Sequence, residues 1–226
     1  MRLITAADDE LYGLASAAGK LGWAPKLLAK LAAARHADPA DPGAAARYAL
    51  ALMAALPSLG VEFEAHSRFT DTIEALGQVL VLDPDHWLAR YSRARLRALI
   101  PSSYGAYSVQ VSSELKLARE DLDRLLSRQG DLTEQAYFIS THALAAVVDH
   151  LAGTQANGRM PMLDALAACP RVPVRLPALG AVLCEPLATM HAGAVDPERQ
   201  AIGDVMAALY GDQPAVTAAL KRQTVW

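Results

Sequence analysis

Three arginines, Arg90, Arg93 and Arg97, recur at spacings of three and four and so form one ridge on a helix, with Arg95 set apart. A guanidinium ridge pairs in planar geometry with carboxylate or phosphate groups, so an acidic or carboxylate-bearing partner is the chemistry it fits. The opposing reading is a solvated helix face paired with acids of the next helix, such as Glu114, Glu120 or Asp121. Tyr91 lies on the same helix. Tyr104 and Tyr107 fall in the loop beyond it, beside Ser102 and Ser103, and loops between helices often carry function. Arg90, Arg93, Arg97, Tyr91, Tyr104 and Tyr107 are therefore the candidate partner-contacting residues.

Catalysis and metal binding have less to draw on. His142 and Asp149 stand seven apart and share a helix face, with His150 nearby, but ligation needs a further ligand from another helix. Glu62 and His66 are one turn apart, with nothing beside them to make an acid–base pair useful. Gly-x-Ser-x-Gly, Walker and dinucleotide fingerprints are absent, as is His-Glu-x-x-His. Cys169 and Cys184 give no disulfide framework and read as small buried hydrophobes. No catalytic residue, no metal ligands and no cofactor are assigned.

The elements that position these residues are helical. Hydrophobic residues make up 53% of the 226 but aromatics only 6%, so the core must be built from Ala, Leu and Val, which favours closely packed helices. No run of alternating β-branched residues occurs. The fold class expected is all-α.

In chain order, Asp8 or Asp9 caps a first helix carrying Leu11, Leu14, Ala15 and Ala18, which Gly19 and Gly22 break. Pro25 opens a second helix. Asp38-Pro39-Ala40-Asp41-Pro42-Gly43 is a turn, and residues 44–56 form the third helix. A fourth runs from about Arg68 to Leu82. The fifth spans residues 85–100, with Asp83 as cap and Pro84 at its first position, and puts Trp87, Tyr91, Ala94 and Ala98 on one face. The sixth aligns Val111, Leu115, Ala118, Leu122 and Leu125. A seventh starts at Asp131, where Glu134 suggests a capping box, and runs to about Leu151. Residues 160–168 add a helix, and 169–177 carry three prolines and read as extended. A helix over 179–191 is interrupted at Pro186, another runs from Asp196 to Tyr210, and Asp212 caps a last short one.

Leu82-Asp83-Pro84 at a helix end, followed by Tyr91 and a small Ala94, resembles the tetratricopeptide repeat over roughly 25 residues. Arg90, Arg93 and Arg97 fall where that family keeps large or apolar residues. The lysine-asparagine-lysine-arginine clamp with which some members hold acidic tails is missing. Similar helix starts recur: Ala46-Arg47-Tyr48 matches Ala89-Arg90-Tyr91, with Leu11-Tyr12 and Ala136-Tyr137 at equivalent distances behind Asp8 and Asp131. The four tyrosines, Tyr12, Tyr48, Tyr91 and Tyr137, either line a shared surface or fill the seams between hairpins. The expected architecture is an α-solenoid of about four antiparallel hairpins over residues 1–170, with a helical cap over 171–226.

The formal charge of −3 gives no general pull toward nucleic acid or membrane. The start of the chain turns acidic too soon for a secretory signal, and no stretch reaches the ~18–20 apolar residues of a membrane span. A cytoplasmic, soluble protein is expected. The function expected is a protein- or peptide-binding scaffold or adaptor that holds an acidic or carboxylate-bearing partner in a groove, with self-association as a further form of partnership. The alternative is a helical accessory enzyme or small-molecule binder with a pocket between the repeats and the C-terminal cap. The residues lean away from an enzyme without excluding one.

Overall fold

The computed structural model describes residues 1–56, 62–98, 108–129, 136–153 and 175–211. Among these the regular structure is all α, and an isolated bridge between Arg2 and His86 is the one extended pairing. Contacts divide the chain into two compact units, Met1–Leu96 and Arg97–Trp226. The sequence boundary expected near residue 170 falls among residues 154–174, which lie outside the described residues.

Unit 1 holds α1 (Ala6–Lys20), α2 (Ala24–Ala37), α3 (Pro42–Ala55), α4 (Glu62–Leu82) and most of α5 (Trp87–Ala98). Everything is wrapped on α3, whose residues 44–46 and 49–55 are all buried. Arg47 apart, the helix is apolar on nearly every side and has little solvent face, so it sits at the centre. Seven of those ten positions would be large in a leucine-rich core; here Ala44, Ala45, Ala46, Ala49, Ala51, Ala54 and Ala55 let α1, α2 and α4 approach closely. Asp41 starts α3 by accepting from the Gly43 N–H at 2.7 Å, with Pro42 at the first helical position.

Several boundaries differ from the sequence reading. The cap of α1 is Thr5, whose hydroxyl accepts from the Asp8 N–H while the Asp8 carboxylate takes the Thr5 N–H at 2.9 Å. Asp8 is thus the third residue of a capping box, not the cap. Helix α1 also turns Ala15 and Gly19 inward and leaves Leu14 exposed, because two small residues allow a closer approach to α3 than a leucine would. At its end, Gly22 takes φ +75° and the Trp23 N–H reaches back to the Ala18 carbonyl at 2.7 Å, the Schellman closure that a left-handed glycine permits. Helix α4 begins at Glu62, a turn and a half before the expected start.

Helix α5 starts at Trp87, two residues late. Asp83, Pro84 and Asp85 form the turn, and His86 takes the capping role, its Nδ1 accepting from the Ala89 N–H at 3.3 Å. Asp83 does not cap because Arg2 is paired here: its N–H donates to the Asp85 carbonyl at 3.0 Å, and its carbonyl accepts from the Trp87 N–H at 3.1 Å. Trp87, Tyr91, Ala94 and Ala98 share one buried face as expected.

Unit 2 holds α6 (Ser108–Gln129), a single 3-10 turn (Ala136–Phe138), α7 (Ile139–Leu151), α8 (Gly180–Gly193) and α9 (Glu198–Tyr210). Its centre is α7, buried at residue 139 and through most positions to 148. The Leu115, Ala118, Leu122 and Leu125 stripe of α6 packs inward. Buried Gln129 joins α6 to α7, donating to the Phe138 carbonyl at 3.2 Å and accepting from the Thr141 hydroxyl at 3.0 Å. Pro186 sits inside α8 without ending it, which corrects the expected interruption. Tyr210 of α9 meets Ser140 of α7 at 3.2 Å. The expected cap at Asp131, the helix over 160–168 and the last helix after Asp212 lie outside the described residues.

Candidate functional site

Of the six expected partner contacts, four are described, and α5 carries them all. Arg97 Nε stands 3.2 Å from Glu114 Oε2 and its Nη1 3.3 Å from Asp121 Oδ2, with the guanidinium side chain only 14% exposed. Glu114 and Asp121, seven apart on α6, face it together. Arg90 is spent on its own turn, donating from Nη2 to the Pro84 carbonyl at 2.7 Å. Half-buried Arg93 lies against Gly77 of α4, 3.5 Å from where a Cβ would stand. Tyr91 is fully buried and stacked on Trp87, ring centroids 4.8 Å apart and planes 10° from parallel. It offers no surface to a partner. Tyr104 and Tyr107 lie outside the described residues.

The tyrosines that suggested a repeat sit in different surroundings. Tyr12 packs beside Ala15, Ala51 and Ala54, while Tyr48 lies under the Arg35 guanidinium, 5.2 Å from its ring centre. Tyr137 belongs to the 3-10 turn, edge-on to Phe138.

A second group of titratable side chains, Asp8 and His86, lines an enclosed space in unit 1. His86 is 3% exposed and lines a small cavity with Asp8 of α1, Ala46, Ala49 and Leu50 of α3, Leu76 and Val79 of α4, and Ala89. Its Nδ1 accepts from backbone, so the proton of the neutral ring is on Nε2, which has no partner among the described residues. Burial, then the charge of Arg2, pushes the imidazole below its ordinary range, against a weaker upward pull from Asp83 and Asp8. The cavity has room for about one water and not for a metabolite.

Other candidates are engaged or alone. Asp149 accepts from Arg119 Nη1 at 2.6 Å, and burial lowers the affinity of His142 for a proton. Cys184 is buried, its thiol pushed up to about 12 by desolvation and by Glu185. Cys169 and the side chains of Glu62 and His66 lie outside the described residues. No three His, Cys, Asp or Glu side chains converge on a metal-sized site among the described residues.

An exposed apolar stretch on and just after α1 was not foreseen, though single residues elsewhere, Val81 and Val195, are more exposed still. Leu14 is 60% exposed, Leu21 63% and Trp23 65%. Ala7, Glu10, Leu14, Ala17 and Leu21 follow one another at spacings of three and four along the outer side of α1, opposite the face that carries Asp8, Ala15 and Gly19. The rigid turn at Gly22 presents Trp23 at the end of this stripe. The signal was in the sequence: apolar residues occur on two sides of this helix, and only one side can face α3.

No family model matches the chain, and neither a curated protein nor a solved structure gave a match. Among the described residues no helix is long and apolar enough to cross a membrane.

Proposed function

We propose that this chain is a protein-binding module of stacked helical hairpins, similar to tetratricopeptide repeats, working as a scaffold or adaptor in the cytoplasm. In this reading about four hairpins extend to residue 170 and a helical cap follows. The order within unit 1 agrees with it. First helices α1 and α3 pack on each other, and second helices α2 and α4 are joined by a hydrogen bond from Arg35 Nη2 to Gln78 Oε1.

The observation that carries the binding role is the apolar outer side of α1. End faces of helical stacks are ordinarily polar, and Leu14 on α1, with Leu21 and Trp23 at the turn that follows it, holds apolar area in water that a partner would cover. The arginines of α5 contribute a weaker case for an acidic partner, because Arg90 and Arg97 are already hydrogen-bonded or ion-paired within the chain.

Cross-linking of the full chain in an extract of its own host tests this. Lysine-reactive reagents should join Lys20 and Lys26, which flank the apolar stripe, to a second polypeptide, and Leu14→Glu should abolish those links. Exclusively intramolecular links would overturn the proposal.

A further inference from the structure

We infer that the partner on the outer face of α1 is a second copy of this chain, docked as an antiparallel two-fold pair of α1 helices. This rests on the binding-module reading and names its partner. The argument is from charge order along the stripe. The exposed side of α1 carries one acid, Glu10, near its start and one exposed base, Lys20, at its end. Parallel pairing would set Glu10 against Glu10 and Lys20 against Lys20. A two-fold axis beside Leu14 reverses the second helix and places each Glu10 near the Lys20 of the other copy, twice over. The same operation sets Leu14 on its own counterpart and Ala7 opposite Leu21.

Small residues at Ala7 and Ala17 let the two backbones close in around those leucines, and opposed helix dipoles add to the preference. Such an interface is isologous: one patch complements itself and closes without leaving a free end. Trp23, just past each helix, adds aromatic area at the rim of the pair. About four turns of helix plus a tryptophan make a small interface, so association should be concentration-dependent rather than obligate.

Sedimentation equilibrium of the purified full chain reads the outcome. The wild type should pass from 24.0 kDa toward twice that mass as concentration rises. Leu14→Glu, at a position open to water, should stay at the lower mass with an unchanged helical spectrum. Glu10→Lys or Lys20→Glu alone makes both symmetry-related pairs repulsive and should weaken association about tenfold. The double exchange Glu10→Lys/Lys20→Glu should restore it to within about threefold of wild type. Failure of the double exchange to rescue, or a dimer indifferent to Leu14→Glu, would overturn the pairing. A wild type that stays monomeric yet forms Leu14-dependent cross-links to a different protein would also overturn it, while leaving the binding-module reading intact.

Discussion

Replacing Arg97 with methionine separates a structural arginine from a partner-gripping one. The side chain is 14% exposed and sits between Glu114, 21% exposed, and Asp121, 4% exposed. Methionine keeps the length of the stem and removes the charge, so two carboxylates lose their common cation. Glu114 can swing toward water and recover much of its solvation. Asp121 cannot, and the loss of its contact with Arg97 dominates. Breaking a buried pair costs ~3–5 kcal/mol, and because one acid can relax the lower end applies, about 3 kcal/mol. For a chain of this size that is a fall in melting temperature of roughly 6–12 °C. The measurement is thermal and urea unfolding followed by circular dichroism, with Arg97→Met/Asp121→Asn alongside. The double variant should regain a large part of the loss, since an amide in the same place carries no charge. If Arg97→Met melts within about 2 °C of wild type, the acid clamp is not structural and the argument fails.

Lowering pH should destabilise the fold through His86. Its folded-state pKa lies below the unfolded value near 6.5, so the unfolded chain binds more protons there; stability is complete above about 6.5 and declines as pH falls below it. Urea midpoints from pH 8 to pH 5 should drop, and His86→Gln should flatten part of the slope, the remainder belonging to His142, shifted the same way by burial. A pH-independent midpoint would contradict this. Gly22→Ala should cost about 1 kcal/mol from backbone strain alone, since φ is +75° and no atom lies within 4 Å of the added methyl; differential scanning calorimetry checks it, and an unchanged transition would refute the Schellman account. In a Cys169→Ser background, Cys184 should resist a thiol-specific disulfide reagent at pH 8 until denaturant is added, because burial and a pKa of about 12 leave almost no thiolate. Rapid labelling of the folded protein would show the site to be open.

Where the sequence spoke clearly, it spoke through uninterrupted apolarity. The alanine- and leucine-rich run of α3 and the alanine-valine run of α7, residues 143–148, are buried, and each is the centre of its unit. The stripe of α6 and the Trp87–Tyr91 face were equally plain, and a tyrosine one turn from a buried tryptophan should itself have been read as core. Local capping was misread because acids crowd the start of α1; Thr5-x-x-Asp8 is the capping-box pattern, with Thr5 outside the apolar repeat. The start of α5 was beyond local reading, since it depends on Arg2, far away in sequence. Glu114 and Asp121, one face apart by seven, were named as possible acids for the arginine ridge, yet only packing shows that they claim Arg97. The outward turn of Leu14 depends on Ala15 and Gly19 being the tighter fit to α3, a steric preference that no hydrophobicity pattern encodes.

The pairing of Arg2 with the turn before α5 gives unit 1 an unusual dependency. The first amide of α5, at Trp87, has its acceptor outside its own helix, on a segment that nothing nearer in the sequence could supply. Helices α1 to α4 can form and dock as they are made, but this last stitch closes a long loop and so should come late in folding. Hydrogen exchange at the Trp87 amide should therefore track the lifting of the N-terminal segment, even while the rest of α5 keeps its own ladder intact.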